Sequence, residues 1–386
     1  MSKVHITLVG GQAAPIYNGI IATQPDIVFY IFSTDSVNVL DRLRNVLSIT
    51  EDKQEPLDTT NPQKIMDRAT KLAEKYKDDY VTLNISSGLK SWSHLFGLVF
   101  DKLPNAEVVY MDQNNILWNY RTMKSFSDFS FDMHILFKLY GNSLDNNYTR
   151  FTDYNEADRQ ACTRIESIRN INRVDFNQLL SVLDNQKQKL LRTEKSGKFE
   201  SLGKDGSKSE SYVEWKKKTL EQDASVRISL SSGKGQSKEI IIECPHAIEL
   251  AFNSGWFEYK IATLLSSWNK AKELCMNCHF PLKPNVDKNE IDIIINTGPK
   301  LLFVECKTQI SNSTDVDKFN SVVKTYGGMG SKALFITDAP MNETAKKKCE
   351  DYNMLTFSLQ DQHLGMSNDK ALHLLLDSEL FNINTK

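Results

Sequence analysis

The stretch Asn289-Glu290-Ile291-Asp292-Ile293-Ile294-Ile295-Asn296, Thr297-Gly298-Pro299-Lys300, Leu301-Leu302-Phe303-Val304-Glu305-Cys306-Lys307 decides how the C-terminal part of this chain folds. Two apolar runs flank a turn containing Gly-Pro, which predicts a β-hairpin. If residues 297–300 form the loop, Asn296 faces Leu301. Counting outward, Asp292 then faces Glu305, and opposed residues share a face with Cβ atoms roughly 5 Å apart. Glu305 and Lys307 also share a face, because strand side chains alternate. In the same register Glu290 faces Lys307, so a plain surface ion pair between those two is the rival arrangement. Around the hairpin the pattern predicts a helix from near Gly255 to about 269 and a strand at 273–280. A helix (314–325), a strand (333–337), a helix (341–352) and a strand (354–358) follow.

The N-terminal half alternates apolar strands with helices. Strands are expected at 4–9, 27–32, 80–85 and 107–111, with helices over 15–24, from the Ser33-Thr34-Asp35-Ser36 cap to about 48, over 62–76, and from near Gly88. That alternation means a parallel sheet covered on both faces. In such sheets ligands bind beyond the carboxyl ends of the strands. Those ends carry Gly10-Gly11-Gln12, Ser33-Thr34, Ser86-Ser87-Gly88-Leu89-Lys90 and Asp112-Gln113. The middle is less regular. Residues 125–185 read as helical, 193–210 as a Lys/Ser/Gly/Glu-rich linker or exposed loop, and 226–231 with 238–242 as a hairpin over Gly233–Gln236. The lysines of the linker could touch a phosphate backbone, but its glutamates favour a solvated surface.

Bulk composition narrows the classes. At 386 residues the chain is too long for one comfortable core. A hydrophobic fraction of 40% and a charged fraction of 25% are those of an ordinary globular protein. A net charge of -2 provides no global basic field for nucleic acid, so any such contact must use local patches or metal. No apolar run is long enough to span a bilayer, and the N-terminus lacks the features of a signal peptide, so a cytoplasmic location is expected. The six cysteines then read as reduced thiols. Cys275-Met276-Asn277-Cys278-His279 matches a haem-attachment pattern, yet no export signal accompanies it and no second ligand pair for zinc lies nearby. An ordinary half-buried strand is the expectation there.

The hairpin carries chemistry. Two carboxylates on one face repel, and burying them unpaired is costly. A divalent cation removes the conflict, and carboxylate oxygens with water suit Mg²⁺ or Mn²⁺. The Lys307 ammonium beside it could orient or help deprotonate an attacking water and offset charge in the transition state. These are the parts that phosphodiester hydrolysis needs.

Gly255-Trp256-Phe257-Glu258, Asn289-Glu290-Ile291-Asp292 and Glu305-Cys306-Lys307-Thr308 together resemble the PD-(D/E)xK, restriction-endonuclease-like nucleases. More narrowly, the chain resembles the CRISPR-associated ancillary nucleases that join such a domain to an N-terminal CARF domain. The resemblance implies catalysis by Asp292, Glu305 and Lys307, with Glu258 assisting, Gln309 as a weaker candidate, and metal held at Asp292, Glu305 and Cys306. It implies a Rossmann-like N-terminal domain whose dimer binds a cyclic oligoadenylate, with the tetra-adenylate expected. Asn84-Ile85-Ser86-Ser87-Gly88-Leu89-Lys90 resembles the family's Asn-x-Thr-Gly-Gly-Thr-Lys loop, departing at Ser86-Ser87 and at Leu89, which cannot donate a side-chain hydrogen bond. The expected ligand contacts are Gly10, Gly11, Gln12, Ser33, Thr34, Ser86, Ser87, Gly88, Leu89, Lys90 and Asp112. Trp92 and His94 are expected in the core or at a dimer contact.

The expectation is therefore an α/β chain with a sensor domain over 1–145, a helical and linker region over 146–245, and a nuclease domain over 246–386. It would act as a homodimer on single-stranded RNA or DNA, or nick duplex DNA, with low sequence specificity. Two rivals are a nucleotide-sensing regulator without catalysis and a constitutive repair or restriction nuclease.

Overall fold

The computed structural model describes residues 1–386 apart from 50, 113–114, 128, 130–131, 183, 203–205, 207, 233–236, 284–288, 299, 309–312, 329–330, 364 and 384–386. Gln113, Gly233–Gln236, Pro299 and Gln309 thus lie outside the described residues. The chain divides into two compact units. Unit 1 comprises Met1–Leu144 together with Gly298–Lys300 and Tyr326–Gly330; unit 2 comprises Asp145–Thr297, Leu301–Thr325 and Ser331–Lys386.

In unit 1, β1 (Lys3–Val9), α1 (Ala14–Thr23), β2 (Ile27–Phe32), α2 (Val37–Val46), β3 (Glu51–Pro56) and α3 (Pro62–Lys75) come first. They are followed by β4 (Tyr80–Asn84), α4 (Lys90–Phe100), β5 (Ala106–Met111), β6 (Leu117–Asn119), β7 (Lys124–Phe126) and α5 (Met133–Leu139). The sheet order is β3-β2-β1-β4-β5-β6-β7. Its first five strands are parallel, and β6 and β7 close one side as an antiparallel hairpin. Val4, Ile6 and Leu8 of β1 pack under α3 and α4 through Ile65, Leu72, Trp92 and Phe96. The opposite face of β1 carries His5, which is fully buried and bonds Thr23 of α1 (Nδ1···Oγ1 2.9 Å). Burial pushes that imidazole down to about 3, so it stays neutral. The β3 strand was not apparent in the sequence: Glu51-Asp52-Lys53-Gln54-Glu55 has no apolar alternation, because an edge strand is protected by charge.

Unit 2 begins with β8 (Thr149–Arg150), α6 (Glu156–Ile168), α7 (Arg173–Leu180) and α8 (Asn185–Thr193). The expected linker over 193–210 is corrected here. It contributes the end of α8, β9 (Ser196–Leu202) and the start of β10 (Lys208–Lys216), which with β11 (Ala224–Ser231) and β12 (Ser237–Cys244) form a four-stranded antiparallel sheet. One face of this sheet is wet, so only alternate residues such as Phe199, Val213 and Trp215 need be apolar, and the lysines and serines between them conceal the strands. Next come α9 (Ala247–Ala251), α10 (Gly255–Ser266), β13 (Glu273–His279), β14 (Glu290–Asn296), β15 (Leu301–Lys307), α11 (Thr314–Tyr326), β16 (Lys332–Thr337), α12 (Glu343–Asp351), β17 (Leu355–Ser358) and α13 (Asn368–Phe381). Their sheet runs β17-β16-β15-β14-β13-β8, antiparallel around the β14–β15 hairpin and parallel from β15 to β17. Cys275 and Cys278 are buried thiols on β13, where a strand was expected. Among the described residues no helix is long and apolar enough to cross a membrane.

Candidate functional site

The hairpin of unit 2 has the register counted from sequence: Asn296 pairs Leu301, and the ladder runs to Ile293 with Val304. One step further, Asp292 stands opposite Glu305. Both are buried, at 6% and 2% exposure. Asp292 Oδ2 accepts the Cys306 N–H (2.7 Å), so its carboxylate reaches across to β15. Lys307 Nζ lies 2.8 Å from Glu305 Oε1. Glu290, the rival partner of Lys307, sits instead 3.8 Å from His279 Nε2. Burial works against a charge on Lys307, but Asp292 and Glu305 outweigh it and hold the ammonium well above the ordinary lysine range. Lys307 is therefore held as a cation that can donate hydrogen bonds.

Glu258 comes from the first turn of α10. The backbone there is close-packed: a Cβ on Gly255 would lie 2.0 Å from the Glu249 carbonyl oxygen, so only glycine lets α9 and α10 approach. Burial first, then the Asp292 charge, holds the Glu258 carboxyl well above the ordinary 4.5, and Glu305 adds to the effect while Lys307 opposes it. Because Glu258 feels all three, the fold gathers the four candidates into one electrostatic site. Burial likewise raises the Cys306 thiol, with the Asp292 and Glu258 charges adding to the effect.

The raised Glu258 carboxyl has a stability consequence. The folded protein holds a proton that the unfolded chain releases, so this contribution is complete below 4.5 and is lost as pH climbs toward the raised value. Thermal melts of metal-free Glu258→Gln should therefore show a stability advantage over wild type that is small under acid conditions and grows toward neutrality.

Three carboxylates, one cation and apolar walls suit a hard divalent ion that keeps much of its water. Among the described residues no three ligating side chains already converge as a metal-binding group. Asp292 and Glu305 are the donors that fit, with water supplying further positions.

Two neighbours of this site were not among the residues expected from sequence. Arg169, just beyond α6, is 8% exposed, bonds the Asp338 carboxylate, and lies 5.1 Å from the centre of the Trp256 ring. Asp338 in turn donates its N–H to the Lys307 carbonyl (3.1 Å). Arg169 continues the buried stripe Ala161, Cys162, Ile165, Ile168, and a cation on an apolar stripe was the available signal. Arg169→Ala leaves Asp338 buried and unpaired, which should cost about 3–5 kcal/mol of unfolding free energy in denaturant titrations. The second neighbour is Glu249 of α9, bonded by Tyr154 Oη and by Asn277 Nδ2 (2.6 Å).

In unit 1 the sheet order places the topological switch between β1 and β4, since the chain builds outward from β1 to β3 on one side and from β4 to β7 on the other. Gly10–Gln12 and Ser86–Lys90 flank that point. The two loops touch: Gly10 N donates to the side-chain hydroxyl Ser87 Oγ (3.1 Å), and a Cβ on Gly10 would lie 2.4 Å from the main-chain Gly88 N. Gly88 has φ +78°, which side-chain-bearing residues seldom adopt. Gly11 and Gln12 are exposed, as are Leu89 and Lys90 at the start of α4. Other expected contacts bond within the protein. Ser86 Oγ donates to Asn84 Oδ1 (2.6 Å) and accepts Met111 N–H (2.8 Å). Thr34 bonds Asp58 through N–H and hydroxyl (2.7 and 2.8 Å), and Ser33 N–H donates to Ser36 Oγ (2.9 Å). Asp112 accepts Ile116 N–H (2.9 Å) and Trp118 Nε1–H (3.1 Å). A cavity of about 460 Å³ beside these loops is lined by Gly11, Gln12, Arg42, Met111, Asp112 and Lys300, among others. Trp92 is buried and bonds the Thr59 carbonyl (2.9 Å), while His94 is exposed.

The fold is that of two-unit α/β proteins, with a Rossmann-like, switch-point sheet in unit 1 and mixed and antiparallel sheets in unit 2. Solved structures share it along nearly the whole chain. One is Can2 from Sulfobacillus thermosulfidooxidans in complex with cyclic tetra-adenylate, with a TM-score of 0.62 at 16% identity over 98% of this chain and 99% of that one. Another is protein VC1899 from Vibrio cholerae, with a TM-score of 0.65 at 14% identity over 98% of each chain. A third is a type III CRISPR defence DNA nuclease activated by cyclic oligoadenylate, with a TM-score of 0.56 at 17% identity, covering 96% of this chain and 51% of that one. No family model and no curated protein sequence matches the chain.

Proposed function

We propose that this chain is a metal-dependent nuclease of type III CRISPR immunity, switched on by a cyclic oligoadenylate. The observation that carries the reading is the buried row Asp292–Glu305 with Lys307 held charged beside it, on a fold shared with a DNA nuclease activated by cyclic oligoadenylate and with a protein that binds cyclic tetra-adenylate. Asp292 and Glu305 would hold Mn²⁺ or Mg²⁺, and a bound cation supplies a Lewis acid and a water of lowered pKa. Lys307 orients that water by donating to it and offsets the negative charge that grows on the phosphoryl oxygens. Glu258, protonated or ionised according to the cation beside it, adjusts the charge of the crevice.

In unit 1, Gly10, Gly11, Gln12, Ser87, Gly88, Leu89 and Lys90 form the ligand surface. Main-chain N–H groups and Lys90 meet ligand phosphates. Ser86 ties β4 to β5 through Asn84 and Met111, and Ser33, Thr34 and Asp112, on loops at the ends of neighbouring strands, complete the surface. The ligand is best matched by cyclic tetra-adenylate bound across a homodimer. The substrate is single-stranded RNA or DNA, or duplex DNA that is nicked, with low sequence specificity. The test is a cleavage assay with a panel of cyclic oligoadenylates, with and without Mn²⁺ or Mg²⁺. Cleavage that needs both metal and one oligoadenylate is the expected result. Full activity without any oligoadenylate, or ligand binding without cleavage, overturns it.

A further inference from the structure

Asn277 lies in mid-strand yet has φ 53°. The other residues of positive φ among those described fall in turns, loops or at helix ends. A left-handed residue inside a strand is strained, and such strain clusters at functional sites. Its position is informative. β13 and β14 keep one register from Glu273 with Asn296 to His279 with Glu290, and the gap in that ladder is Asn277 opposite Asp292. On the other side of β14 the ladder to β15 ends at Ile293 with Val304. Beside the β13–β14 gap the Asp292 carboxylate crosses to β15 and accepts the Cys306 N–H (2.7 Å).

Asn277 is also anchored. Its amide donates to Glu249 Oε1 (2.6 Å), its carbonyl accepts from His279 Nδ1 (2.8 Å), and Tyr154 Oη bonds the same Glu249 carboxylate. Asparagine tolerates the left-handed region better than other side-chain-bearing residues.

We infer that Asn277 is a positioning residue for the nuclease site, its left-handed backbone interrupting the β13–β14 ladder opposite Asp292 and so setting how Asp292 presents its carboxylate to the divalent cation; this rests on the nuclease reading above. Glycine keeps the conformation, whereas a β-branched residue resists it and favours a regular strand.

The test compares wild type, Asn277→Gly, Asn277→Val and Asp292→Ala in the full chain. Mn²⁺-induced shifts in melting temperature are measured alongside the Mn²⁺ dependence of cleavage with cyclic tetra-adenylate present. Asn277→Val should weaken apparent Mn²⁺ affinity by about 10–100-fold, as loss of a support behind a metal ligand does, while its metal-free melting temperature holds or rises. Asn277→Gly should stay within a few-fold of wild type (roughly the effect of losing one amide bond). A Mn²⁺ response in Asn277→Val equal to wild type overturns the inference, as does a loss in Asn277→Gly as large as in Asn277→Val. If wild type responds to Mn²⁺ no more than Asp292→Ala does, the failure lies in the nuclease reading itself.

Discussion

Asp292→Ala and Glu305→Ala, each alone, are expected to lower metal-dependent cleavage on the order of a thousandfold, equivalent to about 4 kcal/mol of barrier. The carboxylates stand on adjacent strands, so neither can substitute for the other at the cation. The same variants should fold. Each removes one of several acids crowded around a single lysine, and Glu258, raised chiefly by burial and then by Asp292, becomes easier to ionise when Asp292 is gone. Metal-free Glu305→Gln should therefore melt no lower than wild type, and single-turnover cleavage of a labelled oligonucleotide should show the rate loss. Wild-type rates in either alanine variant would remove these residues from the mechanism.

Gly10→Ala is expected to abolish the response to cyclic oligoadenylate and to destabilise unit 1 by about 1–3 kcal/mol, the usual range for overpacking. The added methyl would lie 2.4 Å from Gly88 N and 2.8 Å from Gly88 Cα, and main chain cannot rotate aside as a long side chain can. Gly11→Ala is the matched control, because nothing stands within 4 Å of a Cβ there. It should leave the melting temperature unchanged and so report ligand contact alone. Lys90→Ala, also at an exposed site, should weaken oligoadenylate binding roughly 10–100-fold through loss of a charge-assisted hydrogen bond, measured by calorimetry. If Gly10→Ala binds and responds normally, the switch-point loops are not the ligand site.

Much of this arrangement was legible in the sequence where periodicity and turn chemistry agree. The β14–β15 hairpin is the strongest case: four loop residues bounded by apolar runs admit few registers, and the one counted outward from the Gly-Pro turn is the one adopted. The parallel strands β1, β2, β4 and β5 were legible because burial on both faces makes them continuously apolar. What escaped lacks a local signal. β9 and β10 present charge on alternate positions, and β3 presents it throughout. Helix α13 escaped as well, its buried Leu372, Leu376 and Leu380 set among leucines at other positions that blur the stripe. Asn277 and Glu249 are brought to Asp292 and to each other by pairing between distant strands and helices. Their relation depends on tertiary register, and no short window contains it.

Unit 1 is not one continuous length of sequence. Gly298–Lys300 and Tyr326–Gly330 return to it from far along the chain. Lys300 lines the cavity, the Tyr326 carbonyl accepts from Asn142 Nδ2 (2.9 Å), and Gly328 lies so near the Tyr140 ring that a Cβ would come within 2.6 Å of it. A fragment ending at Leu144 would strip the cavity of Lys300, leave Asn142 without that acceptor and bare one side of Tyr140. For protein engineering this means unit 1 is not a cassette that can be excised at a single cut and fused to a reporter. A graft that keeps its properties must carry both returning segments, or replace them with linkers that restore a cation, a carbonyl and a glycine at those places.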